Sequence, residues 1–130
     1  MTLFSKIIAG EIPSYKIAED EQFFAFLDIF PLVEGHVLVI AKVETDKFFD
    51  LPDDYLSALL LFAKPIAHAI EKCFSCNRCG VSVIGLEIPH AHLHLMPINN
   101  ADDINFTNSK LKLSPEKLKA IQGKIISNLH

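Results

Sequence analysis

The sequence predicts an α+β fold: a five-stranded, mainly antiparallel sheet packed with one long helix, plus short N-terminal and C-terminal helices. Two observations carry most of this. Five short runs have strand character, and the 21-residue stretch Asp53–Cys73 repeats its apolar residues at helical spacing instead. A third is the order of these segments, which suits a sheet with one face covered by the long helix. At 130 residues the chain is expected to form a single domain over 1–130, long enough to bury about two-thirds of its unfolded surface.

Phe4 to Ala9 reads as a short helix stopped by Gly10, and Glu11-Ile12-Pro13 follows. Tyr15–Ala18 and Phe23–Leu27 read as strands joined through the turn region Glu19-Asp20-Glu21. Asp28 follows directly, and Phe30-Pro31 breaks the run. His36–Ala41, with the sequence HVLVIA, is a third strand. In the long helix Leu56, Leu59, Leu60, Ala63, Ala67 and Ile70 form the expected buried face, and Pro65 should kink it. Val81–Ile84 and Ala91–Met96 supply two more strands. Ser114 caps a last helix that begins at Pro115, with Leu118, Ile121, Ile125 and Leu129 on one side. His130 ends the sequence and is given no role.

Composition narrows the function classes. Half the residues are hydrophobic, 22% are charged and the net charge is −4. A nucleic-acid binder normally shows a basic face, so no nucleic-acid partner is expected. No apolar run reaches the ~18 residues of a membrane span, so no membrane association is expected. The start, Met-Thr-Leu-Phe-Ser-Lys, shows no secretory pattern, and a cytoplasmic location is expected.

The chemistry concentrates in His90-Ala91-His92-Leu93-His94-Leu95-Met96. In an extended strand alternate side chains share a face, which puts His90, His92 and His94 on one side. Ala91, Leu93 and Leu95 then point into a core. Neighbouring imidazoles along such a strand stand roughly 6.6 Å apart. A lone strand histidine is usually an idle residue, but three in register are different, since neither β-propensity nor packing rewards imidazole over Val or Thr. Two readings survive: a metal site, since His-x-His can present two imidazoles to one ion, and nucleophilic and electrostatic work on an anion. Two imidazolium charges ~7 Å apart repel by roughly 2 kcal/mol at an effective dielectric of ~20, so at least one ring should be neutral near pH 7. A neutral nucleophile beside polarisable rings suits phosphoryl or nucleotidyl transfer.

Cys73, Cys76 and Cys79 form C-x-x-C-x-x-C, but no fourth ligand of matching spacing lies nearby. Cys73 and Phe74 also close the apolar stripe of the helix. Free thiols in a reducing compartment are the expected account.

His-Ala-His-Leu-His-Leu-Met resembles the signature of the histidine triad (HIT) superfamily, in which histidines and hydrophobic residues alternate. The resemblance covers nearly the whole chain and is nearest to its purine nucleoside phosphoramidase-like branch. Leu3 to Pro13 resembles the family's amino-terminal segment, and Phe26-Leu27-Asp28-Ile29 its ribose-binding turn. Gly35 to Ile40 resembles the strand that carries a fourth histidine, and Gly85-Leu86-Glu87-Ile88-Pro89 the loop leading into the triad. The family's Asn-x-Gly segment is missing from Arg78 to Ile84. Glu87 stands where Ser or Thr often touches phosphate.

The resemblance implies a hydrolase or nucleotidyl transferase that acts at the α-phosphate of a nucleoside phosphoramidate or related AMP or GMP derivative. By it, His92 attacks phosphorus to give a nucleotidyl-histidine, and the His90 carbonyl holds the His92 tautomer. His94 contacts the phosphate and helps the leaving group, and His36 completes the cluster. Asp28 accepts from the ribose hydroxyls. Leu3, Phe4, Ile7, Phe26, Ile29 and Leu38 form the base slot, and Gly85 and Glu87 lie in the loop at the phosphate. No metal and no cofactor are implied. A dinucleoside polyphosphate hydrolase, or a nucleotide-binding regulatory module with little catalysis, are the alternatives. A homodimer is expected too: Leu61 and His68 lie outside the helix's core stripe, Val81–Ile84 is an apolar sheet edge, and the family resemblance points the same way.

Overall fold

The computed structural model of the protein describes residues 1–129, and His130 lies outside the described residues. In chain order the elements are α1 (Leu3–Ile8), β1 (Lys16–Glu19), β2 (Phe23–Leu27), β3 (Val37–Ala41), α2 (Asp53–Cys73), β4 (Arg78–Ser82), β5 (His92–Ile98) and α3 (Pro115–Ser127). The strands form one sheet in the order β1-β2-β3-β5-β4, and every neighbouring pair is antiparallel. The expected class holds.

The sheet is apolar on both faces, and this places the site. Along β2, Phe23, Ala25 and Leu27 join the main core, whereas Phe24 and Phe26 point to the other side. Along β3, Val37, Val39 and Ala41 face the main core, and Leu38 and Ile40 do not. The main core lies under α2 and α3, with Leu59, Ala63, Ile66, Ala69 and Ile70 from α2 and Leu118, Ile121 and Ile125 from α3. The second face is only partly covered, by α1 through Phe4 and Ile7. Thr2 starts α1 with a capping box, its side chain accepting from the Ser5 N–H while the Ser5 side chain accepts from the Thr2 N–H.

Two expectations need correction. The buried stripe of α2 runs through Leu59, Ala63, Ile66, Ala69, Ile70 and Cys73, while Leu60 is 63% exposed and Leu56 and Ala67 are only half-buried. The stripe is rotated because Ile66 and Ala69, not Ala67, meet the sheet. The helix runs unbroken through Pro65, whose missing N–H leaves the Leu61 carbonyl without its helical donor, on the exposed side of the helix. The fourth strand is Arg78–Ser82 and not Val81–Ile84. Pairing with β5 decided this: Cys79 lies opposite Pro97, Gly80 opposite Met96 and Ser82 opposite His94, and Val83 and Ile84 leave the ladder. Gly80 fits because a Cβ there would come within 2.7 Å of the Ile98 side chain. A residue-type pattern cannot see that cross-strand constraint.

The exposed Leu61 borders a groove with Ala18, Phe62, Pro65, Ile66 and Leu129. Ala18 belongs to β1, and β4 is the opposite edge of the sheet, so Leu61 and the 81–84 segment do not adjoin within one chain. His68 lines a separate groove with Lys64, Pro65, Lys72 and Asn128. Among the described residues no helix is long and apolar enough to cross a membrane.

Candidate active site

Strand alternation sends Leu93 and Leu95 into the main core and leaves His92 and His94 on the partly covered face, with Ala91 buried just ahead of the strand. The register pairs His92 with Ile40 and His94 with Leu38. His90 precedes the strand and is fully buried. The ring centroids of His92 and His94 are 5.1 Å apart, closer than a straight strand would hold them. His36 stands just before β3, where the Asp28 N–H donates to its carbonyl at 3.0 Å. Gly35, just before it, has φ +91°, and a Cβ there would meet the Phe74 ring at 2.6 Å, so the turn into His36 needs glycine.

Hydrogen bonds fix the proton on each ring. A carbonyl oxygen only accepts, so the His92 Nδ1 that lies 2.6 Å from the His90 carbonyl carries the hydrogen. The neutral His92 ring then has its lone pair on Nε2. The Leu32 N–H donates to His36 Nδ1 at 3.2 Å, so the neutral His36 carries its hydrogen on Nε2 and donates it to His94 Nδ1 at 2.9 Å. His94 is therefore protonated on Nε2. His90 Nε2 donates to the Ala41 carbonyl at 2.6 Å, and its Nδ1 takes the Thr2 hydroxyl at 2.6 Å. Ser5 in turn donates to Glu44 at 2.6 Å and closes that network.

Burial keeps the cluster neutral. Desolvation first, then the neighbouring His94, pushes His36 down to about 3. His94 is pushed down to about 3 by desolvation and then by His92. His92 is also lowered, mainly by desolvation, although its bond to the His90 carbonyl opposes this. The geometry agrees, because a second proton on His36 or His94 would face an N–H. Asp28 is raised by burial, while its oxygen accepts the Phe30 N–H at 2.9 Å. Its other oxygen lies 3.8 Å from His36 Nε2.

Of the expected base-slot residues, Phe4, Ile7, Phe26 and Leu38 share one buried cluster. Leu3 and Ile29 are exposed and lie outside it. Phe4 stacks edge-on against His92 at 4.9 Å and against His90 at 5.7 Å. Gly85, with φ +74°, and Glu87 lie on an exposed loop, but the Glu87 charge is felt by both His92 and Asp28. Among the described residues no group of three or more His, Cys, Asp or Glu is arranged to hold a metal ion. The three cysteines are free, and Cys73 Sγ donates to the Lys124 carbonyl at 3.2 Å, joining α2 to α3.

Residues not anticipated also reach the site. Phe24 and Ile40 complete the apolar cluster, and strand alternation at Phe26 and Leu38 was the signal for both. Thr2 bonds His90, for which the sequence carried no signal. Phe106 stacks edge-on against His94 at 4.6 Å and His36 at 6.1 Å, from a stretch without periodicity.

Comparison with known proteins gives this geometry a context. The family model for the HIT domain matches residues 9–101. An uncharacterized HIT-like protein of Borreliella burgdorferi is 35% identical, over 98% of this chain and 97% of its own. The adenosine 5'-monophosphoramidase hnt1 of Schizosaccharomyces pombe is 31% identical, over 98% of this chain and 97% of its own. Among solved structures, a Hit-like protein from Bartonella henselae described as involved in cell-cycle regulation superposes with a TM-score of 0.85. It is 28% identical, with 98% of this chain and 96% of that chain covered.

Proposed function

The chain belongs to the HIT domain family, and from that membership we propose that it is a nucleotide hydrolase or nucleotidyl transferase acting at the α-phosphate of a nucleoside phosphoramidate. One observation carries the reading: His92 Nδ1–H is committed to the His90 carbonyl at 2.6 Å, so the Nε2 lone pair is free to attack phosphorus. In the first step an Nε2–P bond forms and the P–N bond to the leaving amine breaks, the amine nitrogen taking up one proton. Water then attacks phosphorus, the Nε2–P bond breaks and the water gives up one proton. The net change is one water consumed, with a nucleoside monophosphate and an amine released.

The neighbouring groups suit this sequence. His94 directs its Nε2–H away from His36 and can donate to a phosphoryl oxygen or to the leaving group. His36 acts as a positioning residue that holds that tautomer. Asp28 would accept from adjacent ribose hydroxyls in this reading, as a carboxylate can from two neighbouring donors. A base would lie at the margin of the Phe4–Phe26–Leu38 cluster, where the exposed Leu3 and Ile29 remain uncovered. The name of the fission-yeast relative supports an adenosine phosphoramidate over other substrates. Residues 1–130 are read as a single HIT-like domain.

Acid-labile adenylate is the decisive product. Quenching a reaction with adenosine 5'-phosphoramidate should leave AMP on the peptide that contains residues 90–94, and His92→Ala should abolish both label and turnover. Turnover in His92→Ala at the native rate overturns the reading. Turnover should also survive chelation, and its loss on EDTA treatment together with stoichiometric metal would favour the metal reading. Hydrolysis of dinucleoside polyphosphates in preference to the phosphoramidate would favour the first alternative. Binding of nucleotide without turnover would favour the regulatory one.

The assembly proposed is a homodimer formed through the β4 edge. That strand ends the sheet, and Val81, Val83 and Ile84 are exposed along and beyond it. An apolar edge is a pairing hazard that a second copy would cover.

A further inference from the structure

The segment after β5 places a cation beside the aromatic ring that packs on the histidine cluster. A 3-10 turn, Ala101–Ile104, is capped by Asn100, and the chain then turns again where the Asn108 N–H donates to the Asn105 carbonyl at 3.0 Å. Leu111 N–H donates to the Pro31 carbonyl at 2.8 Å, tying the segment to the loop that carries Asp28. Phe106 packs over the His36–His94 pair. Lys110 sits beside it: its ammonium lies 5.7 Å from the Phe106 ring centre and donates to the Phe106 carbonyl at 2.9 Å.

That ammonium is incompletely used. It has three donors and no acceptor. One is taken by Phe106 and a second, at 3.5 Å, reaches the Asn108 carbonyl at the limit of a hydrogen bond. No carboxylate pairs with Lys110 among the ion pairs of the described residues. In a chain of net charge −4 a lysine has many carboxylates to choose from. Lys110 is exposed and held by neutral carbonyls instead, so its third N–H is open to solvent or to a ligand.

The cluster needs such a charge. His36 and His94 are held neutral, so they offer hydrogen bonds to an anion but no net attraction. Asp28 and Glu87 are acidic, and the Glu87 charge reaches Asp28 and His92, so neither carboxylate attracts a phosphate. The Lys110 charge is felt by Asp28, His36 and His94, and the Glu87 charge by Asp28 and His92. Lys110 thus acts on the His94 end of the cluster, where the outward N–H of His94 would meet a phosphoryl oxygen.

Resting on the nucleotide reading above, we propose that Lys110 is a substrate-binding residue that grips the phosphate oxygens of the bound nucleotide with its remaining donor. Binding through Lys110 is therefore specific to the charged part of the ligand and indifferent to the nucleoside.

Calorimetric titration with AMP and with adenosine tests this on the wild-type chain, Lys110→Met and Lys110→Arg. A charge-assisted hydrogen bond corresponds to roughly tenfold or more in affinity, so Lys110→Met should weaken AMP by about that factor. Adenosine should bind all three proteins equally, and Lys110→Arg should restore most of the AMP affinity. Added salt should narrow the gap between wild type and Lys110→Met. Equal AMP affinity in wild type and Lys110→Met overturns the proposal. So does an equal loss for adenosine, which would make Lys110 a structural support. A wild-type chain that binds neither ligand overturns the nucleotide reading itself, a result distinct from either of the others.

Discussion

His36 donates its Nε2 proton to His94 Nδ1 across 2.9 Å, and this contact sets which nitrogen of His94 faces the open side of the cluster. The direction follows from Leu32, whose backbone N–H occupies His36 Nδ1 and leaves the ring one donor only. His94 is thereby held as a donor toward whatever enters the site.

Replacing His36 should therefore act through His94. In His36→Ala the His94 ring is free to move its proton to Nδ1 and to turn its lone pair outward. Turnover of adenosine 5'-phosphoramidate is expected to fall by roughly 100-fold, the scale of a lost proton-handling group, with a smaller change in KM. Histidine NMR should show the His94 pKa moving up from about 3, since the His36 N–H that opposes a second proton on His94 Nδ1 is gone. An unchanged His94 titration in a folded His36→Ala protein would detach the two rings.

Stability should depend on pH with a defined sign. His36 and His94 titrate near 3 in the folded chain and at 6.5 when unfolded, so the unfolded chain binds more protons between these values. Stability is then fully present above about pH 6.5 and is lost as pH falls toward 3, with a slope of up to about 1.4 kcal/mol per pH unit for each ring. His92, also lowered, adds to the loss. Glu19, lowered by Lys42 and Lys16, adds to it at the acid end, while Asp28, raised by burial, opposes it there. At the other end burial pushes Cys79 up to about 12 from 9.0, so stability should fall again above about pH 9. Urea unfolding across this range should trace a plateau with a shoulder on each side. A flat profile from pH 7 to about pH 4 would mean that the folded cluster takes up protons as readily as the unfolded chain.

What the sequence revealed and what it hid have different physical causes. Alternation at His90 to Leu95 and at Phe23 to Leu27 was legible because a two-sided sheet sorts side chains by parity alone. That parity put Leu93 on the core and His92 on the open face, and it also carried Phe24 and Ile40, whose significance lay in sharing a face with Phe26 and Leu38. Helix α2 was legible in extent but misread in rotation at Leu60, since apolar spacing leaves the buried face uncertain where leucines are adjacent. The bounds of β4 were hidden because pairing with β5 sets them, and Gly80 answers to the Ile98 and Ile104 side chains that lie far from it in sequence. Nothing at Phe106 or Lys110 marks them locally; the Leu111–Pro31 hydrogen bond carries them to the site. Thr2 reaches His90 across 88 positions of chain and is equally silent in sequence.

Gly35 should be the least replaceable glycine in the chain. Its φ of +91° strains any other residue, and an added Cβ would stand 2.6 Å from the Phe74 ring. Gly35→Ala is expected to destabilise by about 2–4 kcal/mol, combining backbone strain with overpacking, and to disturb His36 next to it. Gly10 supplies the control, since its φ is +81° but nothing lies within 4 Å of its added Cβ. Gly10→Ala should therefore cost only about 1 kcal/mol, the conformational part. Equal costs at the two positions, read from urea midpoints, would show that Phe74 moves aside freely.

Assembly is the last expectation, and the sheet order sharpens it. β4 is one edge of the sheet and β1 the other. Four strand spacings of ~4.8 Å put these edges roughly 19 Å apart. Leu61, although 72% exposed, lines its groove beside Ala18 of β1, so an interface built on β4 has no need of it. Light scattering should report about 29 kDa, twice the 14.5 kDa of one chain. Val81→Lys puts a charge on the apolar edge and should shift the mass toward one chain, because a lysine there discourages pairing by another strand. Leu61→Lys should leave the dimer intact. A monomeric wild type would leave the exposed Val81, Val83 and Ile84 without a covering copy. A dimer lost on Leu61→Lys and kept on Val81→Lys would move the interface to the helix side of the molecule.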